Sequence, residues 1–340
     1  MKVMVFGDAN VDITVDWPVV NKALGKLPQR LRNMIRKAVV SSKKSKFDIE
    51  YYLPKQDPLL SKFFSSLKPR VELGGCGAIK ALIMASLGRK VIFYSWVGAD
   101  KNGKMILARL SGAGVDVSHV LVEGRTCETY NIRNPGHKRV AFSYWTSKLD
   151  FSKFITAIKR RKPDAVLLAG AHRVKKPLGY AKLPGAYVFT GSFAQYSKKK
   201  LKDKYLKDLS SGILMANDSE IMQLSDAVGP AKHVKVPIRK ARSAVSGMRM
   251  LGNYLIVMHG PHYTAVKRGH EVVISRTPPL KRHKVVELTG IGDVWEAVFI
   301  SEVGDIRRAS HQRLREAMLA ASNAAISRMS GRTVYLNRDS

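Results

Sequence analysis

Cysteine and acidic side chains are what this chain has least of. Only Cys76 and Cys127 occur in 340 residues, too few and too isolated for a disulfide framework or a cysteine-rich metal site. No apolar run approaches the roughly 18 residues that a membrane-spanning helix needs. The opening Met1-Lys2-Val3-Met4-Val5-Phe6-Gly7-Asp8 turns polar too soon for a secretion signal, so the expectation is a cytoplasmic chain without a membrane partner. Asp and Glu number 26 against 59 Lys and Arg, a formal net charge of +33. Heat adaptation adds Lys and Glu together, so it does not account for cations whose acids are missing. Self-repulsion on this scale favours a polyanionic partner, with nucleic acid placed ahead of membrane. A merely soluble surface is the competing explanation, and composition leaves both open.

Hydrophobic residues make up 45% of the chain, enough for one large α/β domain over residues 1–340 or a domain with an appendage. Lys2 to Phe6 is a short apolar strand running into Gly7-Asp8-Ala9-Asn10-Val11-Asp12, and open α/β sheets present binding groups at such strand ends. Asp12 is thus either a substrate-facing carboxylate or a turn residue bonded to its own backbone. Between residues 18 and 70 lies a basic insertion. Leu24, Leu27, Leu31, Met34, Ile35 and Ala38 recur there at helical spacing, predicting a helix over Pro28 to Val40 with one apolar and one cationic face. Arg30, Arg36, Lys37, Lys43 and Lys44 are its candidate phosphate contacts, joined by Lys199 in Lys198-Lys199-Lys200-Leu201-Lys202 and by Arg239, Lys240 and Arg242 in a second basic stretch over residues 232–249.

Residues 73 to 88 open with a glycine cluster and continue as a small-residue helix. Val91 to Trp96 is a strand, Lys104 to Ser111 a helix, and the β-α alternation implies a parallel sheet with crossover helices. Residues 126 to 145 alternate as strands around Asn134-Pro135-Gly136, while Ala165 to Ala169 and Ala186 to Thr190 read as core strands. In Asn217-Asp218-Ser219-Glu220 the outer pair reads as a helix-capping arrangement. The stretch Val285 to Phe299 contains Thr289-Gly290-Ile291-Gly292-Asp293 before an apolar helix. Asp293 is either a helix-capping carboxylate, or a general base beside an anion hole formed at Gly290, Ile291 and Gly292.

Gly74-Gly75 with its helix, Trp96-Val97-Gly98-Ala99-Asp100-Lys101-Asn102-Gly103, Gly114-Val115-Asp116 and Thr289-Gly290-Ile291-Gly292-Asp293 together resemble the two signature regions of the ribokinase/PfkB carbohydrate kinase family. Order and spacing agree along almost the whole chain. The resemblance implies a ribokinase-like three-layer α/β/α fold, a central mostly parallel sheet and a small β lid, with residues 13–72 and 124–146 as lid and insertion segments. It further implies transfer of the γ-phosphate of ATP to a hydroxyl of a sugar or nucleoside. Asp293 would be the base and Asp12, Gly74 and Gly75 would hold the substrate. Asn217, Glu220, Gly260 and Asn323 would serve the nucleotide, with Mg²⁺ held by Glu220 through water. Relatives also bind a monovalent cation ahead of the anion hole, and their lid strands often pair between subunits, which admits a dimer.

Several positions depart from the family pattern. Ile79 stands where the family's sugar-binding asparagine falls, Glu287-Leu288 replaces Asp-Thr, and Met258-His259-Gly260 replaces Thr-Leu-Gly. A kinase-fold protein with weak or no catalysis that binds RNA or the ribosome through its basic surface is therefore the alternative.

Overall fold

Strand β1 (Lys2–Gly7) sends Val3 and Val5 into one apolar cluster and Met4 and Phe6 into another, and all four are buried. A strand buried on both faces belongs inside a sheet with helices on each side. The structure is a computed structural model describing residues 1–44, 49–53, 56–133, 139–144, 151–169, 187–191, 213–217, 220–221, 255–269, 271–279 and 290–330. In it, β1 pairs in parallel with β5 (Lys90–Val97) and β9 (Ala165–Ala169). Beyond β9 come β10 (Tyr187–Gly191), β11 (Ile213–Asn217) and β12 (Leu255–His259), all parallel, then the antiparallel β13 (Tyr263–Arg268) and β14 (Glu271–Arg276). With β6 (Asp116–Val122) at the other edge, nine strands form the mostly parallel central sheet.

Helices α4 (Cys76–Ser86), α7 (Ile291–Val303) and α8 (His311–Met329) cover the Val3–Val5 face. On the opposite face, α6 (Phe151–Arg161) brings Phe154 and Ile158 against Met4, Phe6, Val166 and Leu168. Helix α5 (Lys101–Gly112) packs beside α4 and β6, its start fixed by Asp100, whose carboxylate accepts the Gly103 N–H at 2.9 Å. These are the three layers that the family resemblance implies, with the parallel strands expected from the β-α alternation.

A second sheet, in the order β3 (Ile49–Leu53), β8 (Val140–Tyr144), β7 (Cys127–Arg133), β2 (Asn10–Asp16), β4 (Arg70–Gly74), forms the lid. Its two faces differ in character because side chains alternate along each strand. Asn10, Asp12, Thr129, Asn131 and Ser143 share one face, in register across β2, β7 and β8. Val11, Ile13, Val15, Tyr130, Ile132 and Phe142 share the other, and three helices of the basic N-terminal part cover them. They are α1 (Trp17–Ala23), α2 (Gln29–Lys44) and α3 (Pro58–Ser66). Leu24, Leu31, Ile35 and Phe63 join the same cluster, and Phe64 stacks on Tyr130 with ring centroids 5.0 Å apart. Helix α2 outlasts the predicted Pro28–Val40 span by one turn, while the predicted turn at 134–136 lies outside the described residues.

Close backbone contact fixes α4 against β1. A Cβ on Gly77 would lie 2.7 Å from the Gly7 Cα and 2.9 Å from the Asp8 nitrogen, so neither neighbour can yield by rotating a side chain. Gly77→Ala is expected to lower stability by about 1–3 kcal/mol, seen as an earlier chemical-denaturation midpoint. An unchanged midpoint would mean that this contact does not lock helix to strand.

Candidate active site

Helix α7 begins where the glycine motif ends. Gly290 adopts φ 71°, a left-handed conformation that favours glycine, and no side chain caps the helix. The amides of the first turn are thus left for an anion. Asp293 sits in that turn but does not cap it. Its carboxylate Oδ1 instead accepts from Lys80 Nζ at 2.6 Å.

Lys80 is the centre of a buried charge network. Its ammonium also lies 3.0 Å from Glu296 Oε2, and Glu296 Oε1 is 3.3 Å from His259 Nε2. The Lys80–Glu296 contact is an ion pair without hydrogen-bond alignment, since Glu296 Oε2 meets no aligned donor. Burial alone would lower the lysine's affinity for its proton, but Asp293 and then Glu296 outweigh it and hold Lys80 charged well above its ordinary value. Burial likewise pushes Glu296 up, and Lys80 and His259 overcome this and bring it down to about 2. Asp293 keeps a raised value: burial lifts it, Lys80 opposes, and the neighbouring Glu296 adds to the lift.

The opposite flank of the same turn lines a cavity of about 620 Å³. Residues 291 and 295, four apart, share one side of α7, and Ile291 and Trp295 form its wall with His259, Gly260, His262, Ser322, Ala325, Ile326 and Met329. His259 stacks on Trp295 at 5.1 Å between ring centroids, and the indole N–H donates to Ser322 Oγ at 3.1 Å. Gly292 faces His259, where a Cβ would approach the imidazole to 3.1 Å. Thr277 steadies the 260–262 loop by donating its hydroxyl to the Gly260 carbonyl at 2.9 Å.

Across α4 lies the polar underside of the lid. Gly74 abuts Asp12, where a Cβ would stand 2.5 Å from the carboxylate, and Gly75 abuts Asn10 and the Asp8 carbonyl. Asp8 receives the Gly77 N–H at 3.2 Å and the Cys76 thiol at 2.9 Å. Asn10 donates to Asp12 Oδ1 at 3.0 Å and to Thr129 Oγ1 at 2.8 Å, while Asn10 Oδ1 and Asn131 Nδ2 are buried with no hydrogen-bond partner among the described residues. Buried polar atoms of this kind are uncommon in a finished core and suit a hydroxyl-bearing ligand. Burial pushes the Asp12 carboxyl up to about 6, against the opposing pull of Arg139 and Asn10.

The structure thus brings Asp12, Gly74 and Gly75 together on one side of α4. Asn217, Gly260 and Ile291 meet in the cavity beside Gly292, and Asp293 stands at the junction. Asn217 and Glu220 form the reciprocal cap expected from their spacing, each side chain accepting the other's backbone N–H at 2.9 Å. Glu220 is buried and Asn217 lines the cavity. Asn323 is a correction: it is exposed, and Ser322, Ala325 and Ile326 take the wall position expected of it. Ile79, the departure noted above, lies against the anion hole, its Cδ1 3.2 Å from where a Gly290 Cβ would be. Arg30, Arg36, Lys37 and Lys43 are exposed on α2, and Lys44 is its last residue. Lys199, Arg239, Lys240, Arg242, Glu287 and Leu288 lie outside the described residues.

Lys80 and Glu296 escaped the sequence reading. A signal was available, for Lys80 is the only charge in the helix Cys76–Ser86, and Glu296 interrupts Val294-Trp295-Glu296-Ala297-Val298-Phe299. A charge within a fully apolar helix needs a buried partner.

The family model for pfkB family carbohydrate kinases matches residues 67–330, and the chain belongs to that family. No curated protein matches it. Among solved structures, adenosine kinase from Schistosoma mansoni in complex with 2-fluoroadenosine superposes with a TM-score of 0.68 at 14% identity, covering 98% of this chain and 96% of that one. Arabidopsis thaliana ribokinase complexed with ribose and ATP gives 0.64 at 19% identity, covering 96% and 92%. The Methanocaldococcus jannaschii nucleoside kinase gives 0.60 at 14%, covering 99% and 94%. At these identities the likeness establishes the ribokinase-like fold.

A raised carboxyl pKa has a definite consequence for stability. Between about pH 4 and about pH 6, folded Asp12 holds a proton that the unfolded chain has released, so its contribution to stability falls as pH rises through that window. Asp12→Asn removes this effect. Its stability relative to the parent should improve from acid to neutral pH by up to about 3 kcal/mol, at about 1.4 kcal/mol per unit. Parallel melting curves of the two proteins against pH would refute it.

Proposed function

We propose that this chain is an ATP-dependent kinase that transfers the γ-phosphate of ATP to a hydroxyl of a sugar or nucleoside. The observation that carries the reading is the position of Asp293. It is a shielded carboxylate in an uncapped helix turn, with an apolar-walled cavity on one side of that turn and buried, partly unsatisfied polar groups beyond α4 on the other. A cavity near 620 Å³ suits a nucleotide, with Trp295, Ile326 and Met329 offering apolar contact to a base. The ligands of the similar structures, 2-fluoroadenosine in one and ribose with ATP in another, support the same substrate class.

In this mechanism Asp293 accepts the proton as the acceptor O–H bond breaks. The acceptor oxygen bonds to the γ-phosphorus, the bond from that phosphorus to the bridging oxygen breaks, and ADP departs. Amides of Gly290 to Asp293 hold the charge that builds on the transferring group. Among the described residues no cluster of three His, Cys, Asp or Glu could hold a metal directly. The amide and carboxylate oxygens of Asn217 and Glu220 instead suit Mg²⁺ that keeps its water shell. When bound, the ion neutralises the phosphate oxygens. Asp12 and Asn10 would receive acceptor hydroxyls under the lid.

Asp293→Asn should lower kcat by about 10²–10⁴ with the KM for ATP changed only a few-fold, measured as ADP release over a panel of sugars and nucleosides. Undiminished turnover would remove the mechanism.

A second reading has its own observation. No Asp or Glu occurs between Trp17 and Lys46, and Lys22, Lys26, Arg30, Arg36, Lys37 and Lys43 are all exposed there. Such a face suits the phosphate backbone of RNA, free or in the ribosome, in addition to catalysis. Reversing Arg36, Lys37 and Lys43 to Glu should weaken RNA binding and flatten the logarithmic salt dependence by about 2 to 3, while leaving ATP turnover intact. Equal affinity and slope in the variant would sink this reading.

A further inference from the structure

Among the buried titratable groups, Lys80 and Glu296 have no part in the mechanism above, yet both are adjacent to its base. We propose that Lys80 and Glu296 are positioning residues: one ammonium, shared between two carboxylates, keeps Asp293 ionised and aimed while leaving its second oxygen to take the acceptor's proton. The proposal rests on Asp293 being the base.

The geometry divides the two oxygens of Asp293. Oδ1 is bound to Lys80 at 2.6 Å, while Oδ2 has no hydrogen-bond partner among the described residues and lies on the Gly290 side, 3.9 Å from where a Cβ of that glycine would stand. The side chain of Asp293 is 19% exposed, against 2% for Lys80 and 6% for Glu296. The lysine therefore grips the base from within the protein and leaves its outer oxygen toward the cleft.

Sharing is what makes this grip compatible with proton transfer. An ammonium paired with Asp293 alone would favour the carboxylate so strongly that it would make a poor base, since an opposite charge at this range lowers an acid by roughly 1–3 units. With no ammonium, Asp293 and Glu296 would be two shielded carboxylates three residues apart, and one would protonate. Lys80 is divided between the two, bonded to Asp293 at 2.6 Å and 3.0 Å from Glu296; Glu296 is held down to about 2, while Asp293 stays above its ordinary value because burial, opposed by Lys80, is reinforced by Glu296. The other groups bearing on the pair are Asp8 before β2, Cys76 at the start of α4 and His259 on β12.

The two residues therefore push Asp293 in opposite directions, which gives a test that a purely structural role would not pass. Protein labelled with ¹³C at aspartate side-chain carboxyls is titrated by NMR, the Asp293 signal being assigned by its loss in Asp293→Asn. Lys80→Met should raise the Asp293 midpoint by about one unit or more and Glu296→Gln should lower it, with Lys80→Arg close to the parent. In turnover, the acidic limb of kcat/KM should move with each midpoint, and kcat should fall by about tenfold or more in both Lys80→Met and Glu296→Gln while the KM for ATP stays within a few-fold. Should Lys80→Met fail to fold, the nearly isosteric Glu296→Gln decides alone by the sign of its shift. Shifts of the same sign, no shift, or a Lys80→Met variant faster than the parent would overturn the proposal, the last by making Lys80 a lock on the base. A parent protein without turnover on any acceptor, but with opposite midpoint shifts, would defeat the kinase reading and leave the charge coupling standing.

Discussion

One ammonium group ties together two helices of this protein's core. Lys80 comes from the helix that follows the lid's edge strand β4, and Asp293 and Glu296 come from the helix that follows the glycine turn; these two helices lie side by side on the central sheet. Desolvating three charges is costly, and the attraction among them offsets that cost only where the geometry is good. Such a cluster therefore does more to fix one arrangement of α4 against α7 than to stabilise the fold. The backbone contact of Gly77 with Gly7 does the same for α4 against β1. Between them, these two contacts determine where the lid's polar underside stands relative to the uncapped turn of α7.

Most of the layered architecture could be read in the chain because each element carries its own punctuation. Glycines end α4 and open α7, and apolar spacing in the insertion identified α2 and the face it buries. The departure of β2 from the central sheet was less visible. Only Asp8 and Ala9 separate it from β1, and its first polar residues read as the loop at the end of that strand, so nothing local says that the chain enters a second sheet there. Strand order across the nine-stranded sheet likewise follows from packing among distant segments.

The site was legible where chemistry needs a special backbone and obscure where it needs a distant partner. Gly290 and Gly292 declare themselves because a side chain would be strained or crowded there. The lone charges of Lys80 and Glu296 reveal that each is buried and paired, but sequence does not say with whom, and Lys80 and Asp293 are 213 positions apart. Helical phase explains the remaining miss. Ser322, Ala325, Ile326 and Met329 recur at intervals of three and four and turn toward the cavity, whereas Asn323 is one step, about 100°, off that stripe.

Helices α1, α2 and α3 pack on the outer face of the lid sheet rather than forming a separate appendage. Their apolar side chains fill the lid's outer face, with Phe64 on Tyr130 as the closest ring contact, while their cations remain outside. Lid and cationic helix thus share one continuous core. The cationic helix α2 packs on β3 and β8, so its exposed charges and the polar face that carries Asn10 and Asp12 lie on opposite sides of one five-stranded sheet, and whatever meets one side leaves the other uncovered.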